Sequence, residues 1–132
     1  ILGESAKMNA AYLTIGLTGC DMGSSYFLPR LVGTSLASEL LLTGRFIYAE
    51  EALQHRLVSK VVPDDQLDSA AQEMLTPMLA ASKMGLRLTK DALNFSIDAS
   101  SMEAAMAMED RQQILLVLAD SEFRERGKKF KK

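Results

Sequence analysis

The sequence predicts a helix-dominated α/β chain. From Ser24 onward, apolar residues recur at helical spacing over most of the length. Only two short runs, Tyr12 to Ile15 and Val58 to Val62, read as strands. No hairpin turn joins them, and two unlinked strands make no independent sheet. The chain also opens on Ile1 rather than Met, so it is read as a fragment or a processed product whose sheet is completed elsewhere.

The 132 residues suffice for one domain with a real core. The first segment, Ile1 to about Leu17, is poor in charge and reads as a weak strand leading into a loop punctuated by Gly16, Gly19 and Gly23. Two short helices follow, Ser24 to Val32 and Ser35 to Leu42, divided by Gly33. Pro29 removes one backbone N–H from the first and is expected to kink or break it. Thr43 and Gly44 end the second, Ala49 to Leu57 forms a third, and Pro63 stops the strand that ends at Val62.

Asp64 and Asp65 are placed to cap the next helix, which carries a stripe of Leu67, Ala70, Ala71, Met74 and Met78 and is disturbed near its end by Pro77. A helix after Ser82 carries Leu86, Leu88, Ala92 and Leu93 and loosens over Asn94 to Asp98. Ser101, with Glu103 two positions on, opens the longest helix, which runs to about Leu118. Its expected stripe is Met102, Ala105, Met106, Ile114, Leu115 and Leu118, widened by Leu116 and Val117. A final turn places Phe123 and Phe130 among basic residues.

Charge is uneven. The formal net charge is −2, yet from Ser121 on six basic residues face only Glu122 and Glu125, so the preceding body is acidic. Such a tail is either a solvated terminus or a contact for phosphates, acidic lipid or an acidic neighbour. No apolar run approaches the ~18 residues of a membrane span, and the visible start lacks the plan of a signal peptide. Cys20 is the sole cysteine, which rules out an internal disulfide and fits a reducing, cytoplasmic setting. His55 has no second ligand at metal spacing, so no metal site is expected. The tail sits in no nucleic-acid module, so nucleic acid is not an expected partner.

Three stretches carry the most information: GLTGCDMGSSYFLPRLVG over residues 16–33, ASELLLTGRFIYAEEA over 37–52, and LVSKVVP over 57–63. In order and spacing they resemble the crotonase superfamily, the enoyl-CoA hydratase/isomerase family, in which a glycine-bearing turn precedes LPRLVG and A-x-E-L-x-L-T-G follows. Leu88-Thr89-Lys90 and Glu103 through Arg111 are similar to the family's C-terminal helices, so the resemblance spans nearly the whole chain. It implies the C-terminal part of a ββα spiral over residues 1–62 and trailing oligomerisation helices over 63–132. It implies acyl-CoA as substrate, CoA being part of the substrate and no separate cofactor being needed. It also implies a homo-oligomer, trimer or hexamer, or pairing with an N-terminal half.

In the family two backbone N–H groups polarise the thioester carbonyl, and carboxylates move protons on the acyl carbons. The resemblance places both N–H donors upstream of the matched region, so this chain is expected to be inactive alone. Many hydratases carry a catalytic Glu where Tyr12 falls, and a phenol is a poor base at neutral pH. The two-glutamate route of water addition is therefore not expected. Counting back from LPR, Asp21 falls where dienoyl-CoA isomerases carry a proton-shuttling Asp, and it is the catalytic candidate. Its alternative is a helix N-cap before Met22, Gly23 and Ser24. Tyr12, Met22, Gly23, Tyr26 and Phe27 are the substrate-binding candidates. Gly23 alternatively serves a turn, and Met22, Tyr26 and Phe27 serve a core. His55 stands where the family usually has Gly before LVS, which implies a strained or altered turn. Lys128, Lys129 and Lys131 are candidates for the CoA phosphates. A second reading keeps the oligomerisation helices and drops the chemistry, leaving a non-catalytic helical assembly module.

Overall fold

The computed structural model describes residues 1–120 together with Phe123, Arg126 and Gly127. Lys128, Lys129, Phe130 and Lys131 lie outside the described residues. The chain forms two compact units, Ile1–Gln72 and Glu73–Lys132. They divide within a helix, whereas the sequence reading divides the chain after Val62.

In the first unit the strands pair across long sequence separations. Strand β1 (Leu2–Gly3) runs parallel to β4 (Val61–Val62), with Leu2 opposite Val61. Strand β2 (Lys7–Met8) runs antiparallel to β3 (Ile47–Tyr48), with Met8 opposite Ile47. The expectation of two partnerless strands is thus corrected: four two-residue strands form two small sheets. Tyr12 to Ile15 is not extended either. Leu13–Ile15 is a 3₁₀ turn, and the Thr14 hydroxyl folds back to donate to the Ala11 carbonyl at 2.6 Å. That local bond competes with a strand ladder.

Helix α1 (Ser24–Val32) runs unbroken through Pro29, so the expected break is absent. Helix α2 (Thr34–Thr43) closes on Gly44, whose N–H donates to the Leu40 carbonyl at 3.0 Å. Gly44 has φ 62°, and a Cβ there would lie 3.2 Å from the Ala10 carbonyl oxygen. A Cβ on Gly19 would lie 2.8 Å from the Leu41 carbonyl oxygen. Small residues at these two positions let the loop after β2 lie directly on the end of α2.

Helix α3 spans Ala49–Gln54 and stops short of the expected Leu57. The left-handed residue of the following turn is Arg56, at φ 60°, while His55 has φ −91°. The strain expected at His55 therefore sits one residue later. Asp64 and Asp65 lie in a 3₁₀ turn, Asp64–Gln66, ahead of helix α4 (Leu67–Leu79). The Asp64 carboxylate does not cap α4. It accepts from the Ser5 N–H at 3.2 Å and so ties down the turn after β1. The core is Leu40, Ile47 and Ala52, surrounded by Leu2, Met8, Leu28, Leu36, Leu57 and Val58.

The second unit is a helical hairpin. Helix α5 (Lys83–Ser96) is capped by Ser82, whose Oγ accepts from the Gly85 N–H at 3.1 Å. It remains helical past Asn94, contrary to the expected loosening. Helix α6 (Met102–Ala119) is capped by Ser101, whose Oγ accepts from the Ala104 N–H at 3.2 Å. The Ser82 hydroxyl, at the start of α5, donates to the Asp120 carboxylate at the end of α6, so the two helices run antiparallel. The half-buried residues of α6 include Ala104, Met108, Gln112 and Leu116, one line at i, i+4 spacing. Most of the expected stripe stands outside that line. Met102, Met106, Ile114, Leu115 and Leu118 are exposed. The helix is apolar on more than one face, and the expected stripe is left largely uncovered, as its lack of an obvious partner within so short a chain implied. Among the described residues no helix is long and apolar enough to cross a membrane.

Candidate functional site

The first unit contains an apolar hollow of about 270 Å³. Helix α1 supplies Ser24, Phe27, Leu28 and Leu31 to it, and α2 supplies Leu40 and Leu41. The segment from β2 into the following loop adds Asn9 and Tyr12. The walls converge because Gly19 and Gly44 let that loop close on α2.

Of the residues singled out in the sequence, Tyr12 and Phe27 line this hollow. Tyr12 is half-buried, and among the described residues its hydroxyl has no hydrogen-bond partner. Asp21 lies in the loop before α1 and is exposed. Its carboxylate accepts from the next residue's N–H, Met22 N, at 2.8 Å. The N-cap of α1 is Gly23, at φ 83°, so the Asp21 side chain is not the cap. Its backbone is what engages the helix: the Ser24 N–H donates to the Asp21 carbonyl at 2.9 Å, and the Asp21 N–H donates to Ser24 Oγ at 3.1 Å. Asp21 is therefore attached to a residue of the hollow without lining it.

Met22 is 90% exposed and has φ 49°, a conformation that costs a side-chain-bearing residue roughly 1–3 kcal/mol. It is not among the residues that line the hollow. Gly23 and Tyr26 also lie outside the lining. The Tyr26 ring meets Phe27 edge-on at 5.2 Å between centroids and carries the Arg30 guanidinium 3.6 Å from its own centroid.

Sequence reasoning missed Ser24, Leu31 and Leu41 as lining residues, and it missed a charge cluster nearby. Arg45 Nε donates to Glu39 at 2.6 Å, and the two terminal nitrogens of Arg45 fork onto both oxygens of Glu51 at 2.6 and 3.0 Å. The hydrogen bonds from Arg45 hold the Glu51 carboxyl below its ordinary pKa, and the two carboxylates push the guanidinium further up. The signal was present as an Arg six positions from a Glu on either side. It is a joint between α2 and α3 rather than a reaction centre. Among the described residues no group of three or more His, Cys, Asp or Glu is placed to hold a metal ion.

Solved structures share this architecture. A probable enoyl-CoA hydratase/isomerase from Mycobacterium abscessus superposes with a TM-score of 0.87 at 35% identity, over 98% of this chain and 50% of that one. A monofunctional enoyl-CoA isomerase from Mycobacterium smegmatis gives 0.69 at 43% identity, over 80% of this chain and 49% of that one. The fold is thus of the crotonase type. A probable enoyl-CoA hydratase of Mycobacterium tuberculosis is 42% identical over 95% of this chain and 44% of its own length. The family model described as enoyl-CoA hydratase/isomerase matches residues 1–131, and the chain belongs to that family. It spans about half the length of the relatives it matches.

Proposed function

We propose that this chain provides the proton-carrying part of an acyl-CoA enzyme that shifts a double bond rather than one that adds water. In this reading the acyl chain lies in the hollow of the first unit and Asp21 is the acid/base. Its carboxylate takes a proton from one acyl carbon and returns it to another, so no water and no redox partner enters. The backbone donors that hold the enolate oxygen come from the rest of the family fold. No metal or organic cofactor is required, and CoA enters as part of the substrate.

The observation that carries the proposal is that one of the two motif positions holds a carboxylate and the other a phenol. The Asp21 backbone N–H donates to Ser24 Oγ, and Ser24 and Tyr12 both line the hollow. Activating water and protonating the product needs two groups of suitable pKa, whereas moving one proton between carbons needs one. The 43% identity with the monofunctional enoyl-CoA isomerase of M. smegmatis supports the same choice.

The test is the Asp21→Asn variant of the full-length protein, followed by loss of a conjugated dienoyl-CoA chromophore. The rate is expected to fall at least about 100-fold with the helical circular dichroism unchanged. A rate near that of the parent would remove Asp21 from the chemistry. The 132-residue chain alone is expected to show no turnover, and turnover by it would refute the shared-site reading.

The exposed apolar residues of α6, Met102, Ile114 and Leu118 among them, support a second element of the proposal: association with further copies as a trimer or hexamer, or with an N-terminal half. Sedimentation at micromolar concentration is expected to show a species larger than a monomer. A monodisperse monomer would count against it.

A further inference from the structure

The polar residues in the lining of the first unit's hollow are Asn9, Tyr12 and Ser24, and the rest of the lining is apolar. Asn9 is committed, its Nδ2 donating to the Gly44 carbonyl at 3.1 Å. The other two carry hydroxyls and are half-buried. Ser24 Oγ accepts from the Asp21 N–H at 3.1 Å, but among the described residues its own O–H has no acceptor. The Tyr12 hydroxyl has no partner of either kind among the described residues. Three exposed hydroxyls close by in the chain behave otherwise. Thr14 donates to the Ala11 carbonyl at 2.6 Å, Thr18 to the Cys20 carbonyl at 3.2 Å and Thr43 to the Glu39 carbonyl at 2.7 Å. Those exposed hydroxyls are tied to backbone, and the two at the hollow are not.

A tyrosine hydroxyl taken out of water normally finds a partner. Water serves while the hollow is open. A ligand that fills the hollow displaces that water, and a plain hydrocarbon would leave the O–H groups without an acceptor, which is costly. What the lining lacks is therefore an acceptor supplied by the ligand. A carbonyl oxygen fits this need, because it has two lone pairs and brings no proton of its own. A ligand hydroxyl fits it less well, since it adds a further donor. A site with such a donor also discriminates by more than fit, because the analogue without the oxygen leaves the donor unpaired.

We infer that Tyr12 is a specificity-determining residue whose phenol hydroxyl donates to a ketone oxygen on the acyl chain, so that the hollow prefers oxo-acyl groups to unsubstituted ones. This rests on the acyl-CoA reading given above and adds the class of acyl group. Calorimetric titration of the full-length protein with octanoyl-CoA, 5-oxooctanoyl-CoA, 7-oxooctanoyl-CoA and free CoA tests it. At least one of the oxo compounds is expected to bind about tenfold tighter than octanoyl-CoA. Tyr12→Phe is expected to abolish that preference while changing the affinity for octanoyl-CoA by no more than about twofold. The infrared stretch of a carbon-13-labelled ketone in the complex reads the bond directly. It is expected to move to lower frequency in the parent protein, which keeps the test open should Tyr12→Phe fail to fold, and an unshifted stretch would overturn the inference. Oxo-acyl-CoAs no tighter than octanoyl-CoA, with all three tighter than CoA, would overturn it and leave the acyl-CoA reading standing. Acyl-CoAs no tighter than CoA would overturn both. A preference for the oxo compounds that survives in Tyr12→Phe would assign the selection to another group and also overturn the inference.

Discussion

The two compact units are built on different economies of backbone and core. Every buried apolar residue among those described lies in the first unit: Ala37, Leu40, Leu41, Ile47, Ala49, Ala52, Val62 and Ala70. So does every residue with a left-handed backbone, the glycines at 16, 23, 33 and 44 together with Met22 and Arg56. Among the described residues the second unit has neither. Its helices are regular and capped by Ser82 and Ser101, and its large apolar residues remain half-buried or exposed. A unit that closes short turns over its own core accepts local backbone strain, because packing overrides it. A unit of plain helices needs no strained turn, but with so little buried its stability depends on what it packs against.

Truncating one leucine in each unit tests that contrast most directly. Leu40 is 4% exposed and sits in the central cluster. Leu40→Ala is expected to cost about 2–5 kcal/mol in urea unfolding. Leu118 is 80% exposed, and Leu118→Ala is expected to change the stability of the monomer by no more than about 0.5 kcal/mol. Equal losses at the two sites would mean that α6 is as fully packed as α2 and would dissolve the distinction.

A smaller effect is expected at the turn after α3. Arg56 holds φ 60° without a glycine's freedom, between α3 and Leu57 of the core surround. A left-handed residue with a side chain costs roughly 1–2 kcal/mol, and glycine gives part of that back through its larger unfolded entropy. Arg56→Gly is therefore expected to stabilise the first unit by about 0.5–1 kcal/mol, read as a higher denaturant midpoint with an unchanged slope. A loss of stability would show that the Arg56 side chain contributes more than its backbone costs.

What the sequence made legible follows the same division. Gly33 and Gly44 end α1 and α2 where the spacing placed them, and Ser101 opens α6 as expected, because each acts through bonds within one turn. The strands were legible only in part. The β-branched run Val58 to Val62 holds β4 at its end, but a two-residue piece such as Leu2–Gly3 has no periodicity to detect and pairs with a partner about sixty positions away. The role of Asp64 was missed for the same reason, since its Ser5 partner is equally distant. Of the five substrate-binding candidates, Tyr12 and Phe27 line the hollow and Met22, Gly23 and Tyr26 do not. Leu31 and Leu41 went unnoticed because a wall assembled from separate helices leaves no local pattern.

The smallest effect separates the units electrically. Each contains a carboxyl held below its ordinary pKa, by different means. Glu51 is lowered first by the hydrogen bonds from Arg45, and Glu103 by its own backbone N–H and then by the Ser101 hydroxyl. A carboxyl depressed on folding contributes stability that is present above the unfolded value of about 4.3 and is lost as pH falls through the lower folded value. Both groups should therefore destabilise the fold only in the acid range below about pH 4.3. Arg45→Met should move the Glu51 titration upward toward the unfolded value and leave that of Glu103 in place, measured by carboxyl carbon shifts in NMR. Ser101→Ala should do the reverse. The physical reason is range: the Arg45 fork acts across the joint of α2 and α3, and the Ser101 cap acts within the first turn of α6. A shift of Glu103 in the Arg45 variant would mean that its lowered pKa does not arise within the first turn of α6.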